Sequence, residues 1–278
     1  MARPMALVLH APGTNRDRDL ALALDLAGAD SQIAAVADVA RGAVAMQSFQ
    51  LLLLPGGFSY GDDLGAGRLW ALELRHILGE QLQRFVASGR PVLGICNGFQ
   101  ALVKSGLLPG ADAPLAAPDT GAEAAVFDRQ RVSLARNARS QFECRWVHLQ
   151  ADPDCRSPWL ADLKGRLITC PVAHGEGRFV ADDAELAALQ RRGSIALRYV
   201  EAGGQRASGG GGDGYPANPN GSRGDVAGIC NAAGNVLGLM PHPENHVLSA
   251  QHPGRDRGFA GSMGLPLFQA GVRFAGQM

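Results

Sequence analysis

The 278-residue sequence carries no excess of either charge: 26 Lys and Arg stand against 26 Asp and Glu. A balanced chain has no broad positive field, which argues against nucleic acid as a partner. It contains no run of about 20 apolar residues, the length a membrane-spanning helix needs. Met1-Ala2-Arg3-Pro4 leads directly into a strand-like run, so no signal peptide is expected. Cysteine is sparse and odd in number: the five stand at 96, 144, 155, 170 and 230, with no Cys-x-x-Cys pair to suggest zinc. The glycines 209–212 lack the Lys-Ser/Thr ending of a phosphate loop. With no such loop and no carboxylate cluster for a metal, the chain is expected to bind neither ATP nor metal itself. Together these absences leave a reduced, cytoplasmic protein as the expectation.

What is present is a βα alternation. Ala6–His10 reads as a buried first strand, followed by a turn at 11–15 and a helix from about Arg16 to Ala27, closed by Gly28. A second strand is expected near Ile33–Val36. Leu51–Leu54 is a four-leucine strand stopped by Pro-Gly-Gly, a helical pattern covers 69–87, and Val92–Ile95 is the next strand. This order predicts an α/β fold: an open, doubly wound, mostly parallel sheet of flavodoxin-like type. In such sheets ligands sit beyond the C-terminal ends of the strands. The second half changes character. Arg131–Leu134, Phe142–Leu149, Leu167–Val172 and Ile195–Val200 are short strand-like runs, expected as antiparallel additions at one edge. Val226–Asn231 and Asn235–Met240 read as a hairpin, and Leu267–Phe274 as a closing helix. Residues 202–224 read as a long mobile loop. No linker divides the chain, so residues 1–278 are expected to form a single domain.

Gly94-Ile95-Cys96-Asn97-Gly98 lies where the strand Val92–Ile95 meets a helix-like stretch. A sharp strand-to-helix turn with small residues on either side of a Cys is the geometry of a nucleophile elbow. The thiol then sits at a helix N-terminus, where the dipole favours negative charge. The same spacing also suits a buried Cys in an ordinary turn. A second motif, Met240-Pro241-His242-Pro243-Glu244, places His242 and Glu244 two apart in an extended, proline-flanked segment, so both point to one face. Alone it could be an incidental surface turn. Paired with the elbow it completes a Cys96–His242–Glu244 set in which Cys attacks, His moves the proton and Glu orients the imidazole.

These two motifs resemble class I, triad-type glutamine amidotransferases. Leu54-Pro55-Gly56-Gly57-Phe58-Ser59-Tyr60-Gly61-Asp62 and Pro171-Val172-Ala173-His174-Gly175-Glu176-Gly177 narrow the resemblance to the glutaminase subunits of phosphoribosylformylglycinamidine synthases, enzymes of purine biosynthesis. The resemblance runs over nearly the whole chain. It implies hydrolysis of glutamine to glutamate and ammonia, and use of that ammonia by a large synthetase subunit, usually with a small third subunit. ATP and Mg would belong to that partner. It also implies that Gln100 lies near the substrate; the same position equally suits a helix residue that faces a loop. The chemistry needs an oxyanion cradle, for which the backbone N–H groups of Asn97 and Gly57 are the candidates. The Gly56-Gly57 loop is expected to be able to flip between a competent and an incompetent state.

His174 is assigned a structural or partner-contact role, since the triad is complete without it. At position 245 the family commonly has Arg, whereas this chain has Asn245. Two other readings compete. A Cys-dependent hydrolase or chaperone of the protease-like doubly wound superfamily would usually place His directly after the Cys, where Asn97 stands. A catalytically silent regulatory subunit would not need all three triad residues.

Overall fold

The computed structural model describes residues 2–111, 130–208, 214–259 and 263–278. Eleven strands and seven α-helices are described. In chain order they run β1 (Met5–His10), α1 (Asp17–Ala27), β2 (Asp30–Ala35), α2 (Val36–Ala40), β3 (Leu51–Leu54), α3 (Arg68–His76), α4 (Gly79–Ala87), β4 (Val92–Ile95) and α5 (Asn97–Ser105). Then come β5 (Ser133–Arg136), β6 (Glu143–Ala151), β7 (Leu167–His174), β8 (Glu176–Val180), α6 (Asp183–Arg192), β9 (Ile195–Val200), β10 (Val226–Cys230), β11 (Val236–Leu239) and α7 (Leu265–Ala275).

Nine strands form one sheet in the order β2-β1-β3-β4-β11-β10-β9-β6-β7. The five from β2 to β11 are mutually parallel. From β10 onward every neighbouring pair is antiparallel. The β2-β1-β3-β4 order is that of a flavodoxin-like sheet, with its direction of winding reversed between β1 and β3. Strands β3 and β4 are buried along their whole length. That fits their runs of Leu, Val and Ile, because a parallel strand is covered on both faces. Helices α1 and α7 pack together, α3 packs with α4 and α5, and α5 and α7 both reach β3.

The expected doubly wound α/β architecture and its antiparallel second half are both present. Three details differ. The helical pattern over 69–87 is two helices, α3 and α4, parted at Ile77-Leu78 before Gly79. The Arg131–Leu134 run contributes β5, which pairs with β8 in a separate two-stranded sheet and not at the edge of the large one. Helix α6 has no counterpart in the sequence reading, although its ends are marked: Asp182 accepts from Glu185 N–H at 2.7 Å, and Gly193 closes it in the left-handed conformation.

The expected mobile loop at 202–224 is also different. Residues 209–213 lie outside the described residues. The remainder is irregular but firmly bonded. Arg206 and Ser208 both donate to Asp225, Asn218 donates to Asp225 and to the Ser222 carbonyl, and Asn220 donates to the Gly177 carbonyl. Asn218, Asn220, Ser222 and Asp225 are buried. Polar residues there satisfy one another inside the protein, which composition alone reads as solvation.

The seat of α5 explains the glycines of the elbow. A Cβ at Gly98 would lie 2.1 Å from the Leu54 carbonyl oxygen, and one at Gly94 would lie 2.5 Å from Leu102 Cδ1. Helix α5 therefore rests directly on the ends of β3 and β4. Gly98→Ala is expected to lower the unfolding free energy by about 1–3 kcal/mol through overpacking. Gly175→Ala, whose new methyl would meet only Phe142 at 3.7 Å, should stay within about 0.5 kcal/mol. Urea denaturation of the two variants beside the parent checks the contrast.

Candidate active site

Three parallel strands deliver the site at their C-terminal ends. Cys96 follows β4, Gly56-Gly57 follows β3, and His242 follows β11. Cys96 has φ 52° and ψ −106°, a left-handed backbone for a residue with a side chain. This strained turn at a strand-to-helix junction is what the elbow spacing predicts. The side chain is nearly buried, and Sγ lies 3.9 Å from the Ala173 carbonyl oxygen at the end of β7.

His242 and Glu244 are also buried, and Nδ1 of the imidazole lies 2.7 Å from Glu244 Oε1. Burial alone would lower the His242 pKa. The Glu244 carboxylate, then the neighbouring Cys96 by charge and by hydrogen bond, outweigh it and drive the pKa upward. Among the described residues no other hydrogen-bond partner takes His242 Nε2. The imidazole is thus held by Glu244 on one nitrogen and turned toward the thiol with the other. A Cβ at Gly56 would sit 2.7 Å from His242 Cε1, so only glycine lets the β3 loop lie against this ring.

The oxyanion candidates are placed by the backbone around them. The Gly56 carbonyl accepts from Asn15 N–H and Arg16 N–H, each at 3.3 Å. A trans peptide sends the following N–H the opposite way, so the Gly57 N–H is directed away from that turn. Phe58 N–H to the Gly13 carbonyl, at 3.0 Å, extends the pairing around the Thr14–Gly57 bridge. Gly57 has φ 148°, and a Cβ there would be 2.7 Å from Thr14 Cα. Among the described residues neither Gly57 N–H nor Asn97 N–H has a backbone acceptor, and the latter is a first-turn donor of α5. In this conformation the loop expected to flip is tied to the turn after β1, and a flip would break both bonds to the Gly56 carbonyl.

A cavity of about 150 Å³ opens over these groups, lined by Cys96, His242, Gly57 and Ala173. Asn15 and Arg16 from the turn after β1 complete one wall, and Phe58 and Phe142 form the rim. Sequence analysis does not identify these four. Asn15 and Arg16 could have been found from the rule that ligands bind where the winding reverses, here between β1 and β3. Phe58 and Phe142, 48% and 54% exposed, carry no comparable signal.

Gln100 is placed elsewhere. It is buried behind the elbow, accepts from Asn97 Nδ2 at 3.0 Å and donates to the Glu176 carbonyl at 2.5 Å. It does not line the cavity. The Asn97 side chain also donates to Asp62 and accepts from Ser59 N–H at 3.1 Å. This network ties α5 to the loop after β3. Asn245 donates to Asp19 Oδ2 at 3.2 Å. Among the described residues no His, Cys, Asp and Glu group could hold a metal, and no helix is long and apolar enough to cross a membrane.

His174 lies outside the triad. Asn137 donates to the Gln141 and His174 carbonyls, which fixes its carboxamide so that Oδ1 faces His174 Nδ1 at 3.2 Å. Nδ1 therefore carries the proton. Burial, reinforced by His242 nearby, holds the pKa down to about 3. The ring is neutral, and among the described residues its Nε2 has no hydrogen-bond partner. Between about 3 and 6.5 the unfolded chain binds a proton there that the folded chain refuses. Stability from this residue is complete above pH 6.5 and declines as pH falls below it. His242 has the opposite sign, contributing at low pH and fading as pH rises above 6.5. His174→Gln should flatten the acid-side loss of stability, measured by urea unfolding on either side of pH 6.5.

Comparison with known proteins gives the family of the chain. A family model described as a CobB/CobQ-like glutamine amidotransferase domain matches residues 3–275. The chain is 44% identical over 275 residues to phosphoribosylformylglycinamidine synthase subunit PurQ of Treponema denticola, covering 98% of this chain and 99% of that one. It is 38% identical over 253 residues to the PurQ subunit of Dehalococcoides mccartyi, covering 91% and 89%. A chain in the structure of PurLQS from Thermotoga maritima superposes with a TM-score of 0.70 at 30% identity, covering 98% and 99%.

Proposed function

Because the chain belongs to the CobB/CobQ-like glutamine amidotransferase family, we propose that it works as the glutaminase subunit of phosphoribosylformylglycinamidine synthase, as its PurQ-named relatives do. It hydrolyses glutamine to glutamate and ammonia. The observation that carries the chemistry is the strained Cys96 turn, facing an imidazole that Glu244 holds from behind.

The sequence of events follows from the geometry. Cys96 Sγ, as thiolate, attacks the side-chain amide carbon of glutamine, with the proton held on His242. The elevated His242 pKa favours that ion pair. The carbonyl oxygen becomes an oxyanion, and the N–H groups of Gly57 and Asn97 receive it. A well-aimed donor of this kind contributes about 3–4 kcal/mol to the transition state. His242 gives its proton to the departing nitrogen, and ammonia leaves behind a thioester. Water then attacks the thioester with His242 as base, glutamate departs, and the thiol is restored. Glu244 keeps Nδ1 protonated throughout and stabilises the imidazolium.

Ammonia gains value only where an acceptor is activated. We assign that step, with its ATP and Mg, to a large synthetase partner, assembled with a small third subunit. The acceptor is formylglycinamide ribonucleotide and the product formylglycinamidine ribonucleotide. This chain acts as a single domain with no cofactor of its own. Five free cysteines, four of them buried, suit a cytoplasmic setting.

In the assembled enzyme, Cys96→Ala should reduce glutamine-dependent turnover by about 10³-fold or more while free ammonia still supports the synthetase reaction. His242→Ala should approach the same defect, and Glu244→Gln should cost less. Glutamate release and amidine formation are the two measurements. Loss of the ammonia-dependent reaction in Cys96→Ala would contradict the division of labour. If His174→Ala blocked thioester formation and His242→Ala did not, the triad would have to be redrawn.

A further inference from the structure

The substrate's amide end is accounted for by Cys96, His242 and the two N–H groups. Its other end is a charged α-amino acid head, and nothing in the triad recognises it. We propose that Arg16 binds the α-carboxylate of glutamine and so selects an amino acid amide over simpler amides. This rests on the glutaminase reading above.

Four observations support it. Arg16 lines the same 150 Å³ cavity as Cys96 and His242. It comes from the turn after β1, which with the β3 loop flanks the point where the sheet's winding reverses, the place where such folds bind ligands. Its stem runs beside the triad, since a Cβ at Gly56 would meet Arg16 Cγ at 3.4 Å and His242 Cε1 at 2.7 Å. Finally, no Asp or Glu among the described residues lines the cavity, and His242 is already committed to Glu244. Arg16 is thus the cation available to an incoming carboxylate, and its planar fork matches that group.

Arg16 is held ready without being consumed. Nη1 lies 3.1 Å from Asp19 Oδ2, with both side chains partly exposed, and such a surface pair holds only weakly. The same Asp19 oxygen accepts from Asn245, three residues after His242. Asp19 thereby aligns Arg16 with the segment that carries the triad base.

The test separates the head from the amide. Arg16→Met in the assembled enzyme should raise KM for glutamine roughly 10–100-fold, the range for losing a charge-assisted bidentate bond, with kcat nearly unchanged. Arg16→Lys should fall between Met and the parent. Labelling of Cys96, followed by peptide mass spectrometry, supplies a readout independent of turnover. A chloroketone analogue of glutamine, with its amino acid head intact, should label Arg16→Met more slowly by a similar factor. Iodoacetamide, which has no such head, should label Cys96 in parent and variant at equal rates. Equal slowing of both reagents would mean that Arg16 acts on the thiol or the fold, and would overturn the proposal. Unchanged KM and unchanged chloroketone labelling would overturn it too. If the parent enzyme itself released no glutamate from glutamine, the glutaminase reading would fail first, whatever Arg16 did.

Discussion

The contact on which the rest of the site depends is the seating of one helix on the end of one strand. With no room for a Cβ between Gly98 and the Leu54 carbonyl, α5 approaches β3 as closely as backbone can. That approach brings the first turn of α5 beside the loop after β3. It also forces Cys96, between β4 and α5, into a left-handed conformation that ordinary packing would not select. Strain of this sort persists only where the surroundings over-determine it. Here Cys96 N–H bonds to the Leu239 carbonyl and Gly98 N–H to the Pro55 carbonyl, clamping the turn from β11 and from β3.

Around this clamp the charged groups are arranged so that burial helps the chemistry. Isolated, a buried imidazole would be neutral, and His174 shows that outcome: its pKa is held low by burial. His242 is equally buried yet moves the other way, because Glu244 and Cys96 flank it. Two histidines close enough to influence each other thus have opposite protonation. A neutral His174 spares His242 a second positive neighbour. Burial keeps His174 neutral, and Asn137 sets its tautomer by fixing the proton on Nδ1, at the end of the strand that also presents the Ala173 carbonyl to the thiol.

The architecture was legible because its signals are local. A four-leucine strand ending in Pro-Gly-Gly, and a Gly-x-Cys-x-Gly after a second apolar run, each state their own structure. Leu51–Leu54, Val92–Ile95 and Ile195–Val200 appear with the expected boundaries. The Cys96, His242 and Glu244 grouping was legible for the same reason, since each motif carries its neighbours' geometry with it. Long-range closure was not legible. Nothing near Arg131–Leu134 says that this run will pair with Glu176–Val180 in a sheet of its own. Nothing in the Gly- and Asn-rich 202–224 stretch says that Asn218, Asn220 and Ser222 will bury and satisfy one another. Gln100 follows the same rule. Its spacing from Cys96 puts it on the first turns of α5, but which groups face that turn depends on where the Glu176 carbonyl arrives from the far side of the sequence.

The turn after β1 links two functions that sequence keeps apart. Its N–H groups at Asn15 and Arg16 hold the Gly56 carbonyl and so set the direction of the Gly57 N–H. The side chain of Arg16, from that same turn, enters the cavity beside His242. A displacement that moved the Arg16 backbone would therefore loosen the oxyanion donor along with the substrate-facing wall. The two bonds to the Gly56 carbonyl are long, at 3.3 Å each, and hydrogen bonds weaken toward that length. In this fold the close contact at Gly98 fixes the nucleophile, and the β1 turn sets the direction of the oxyanion donor beside it.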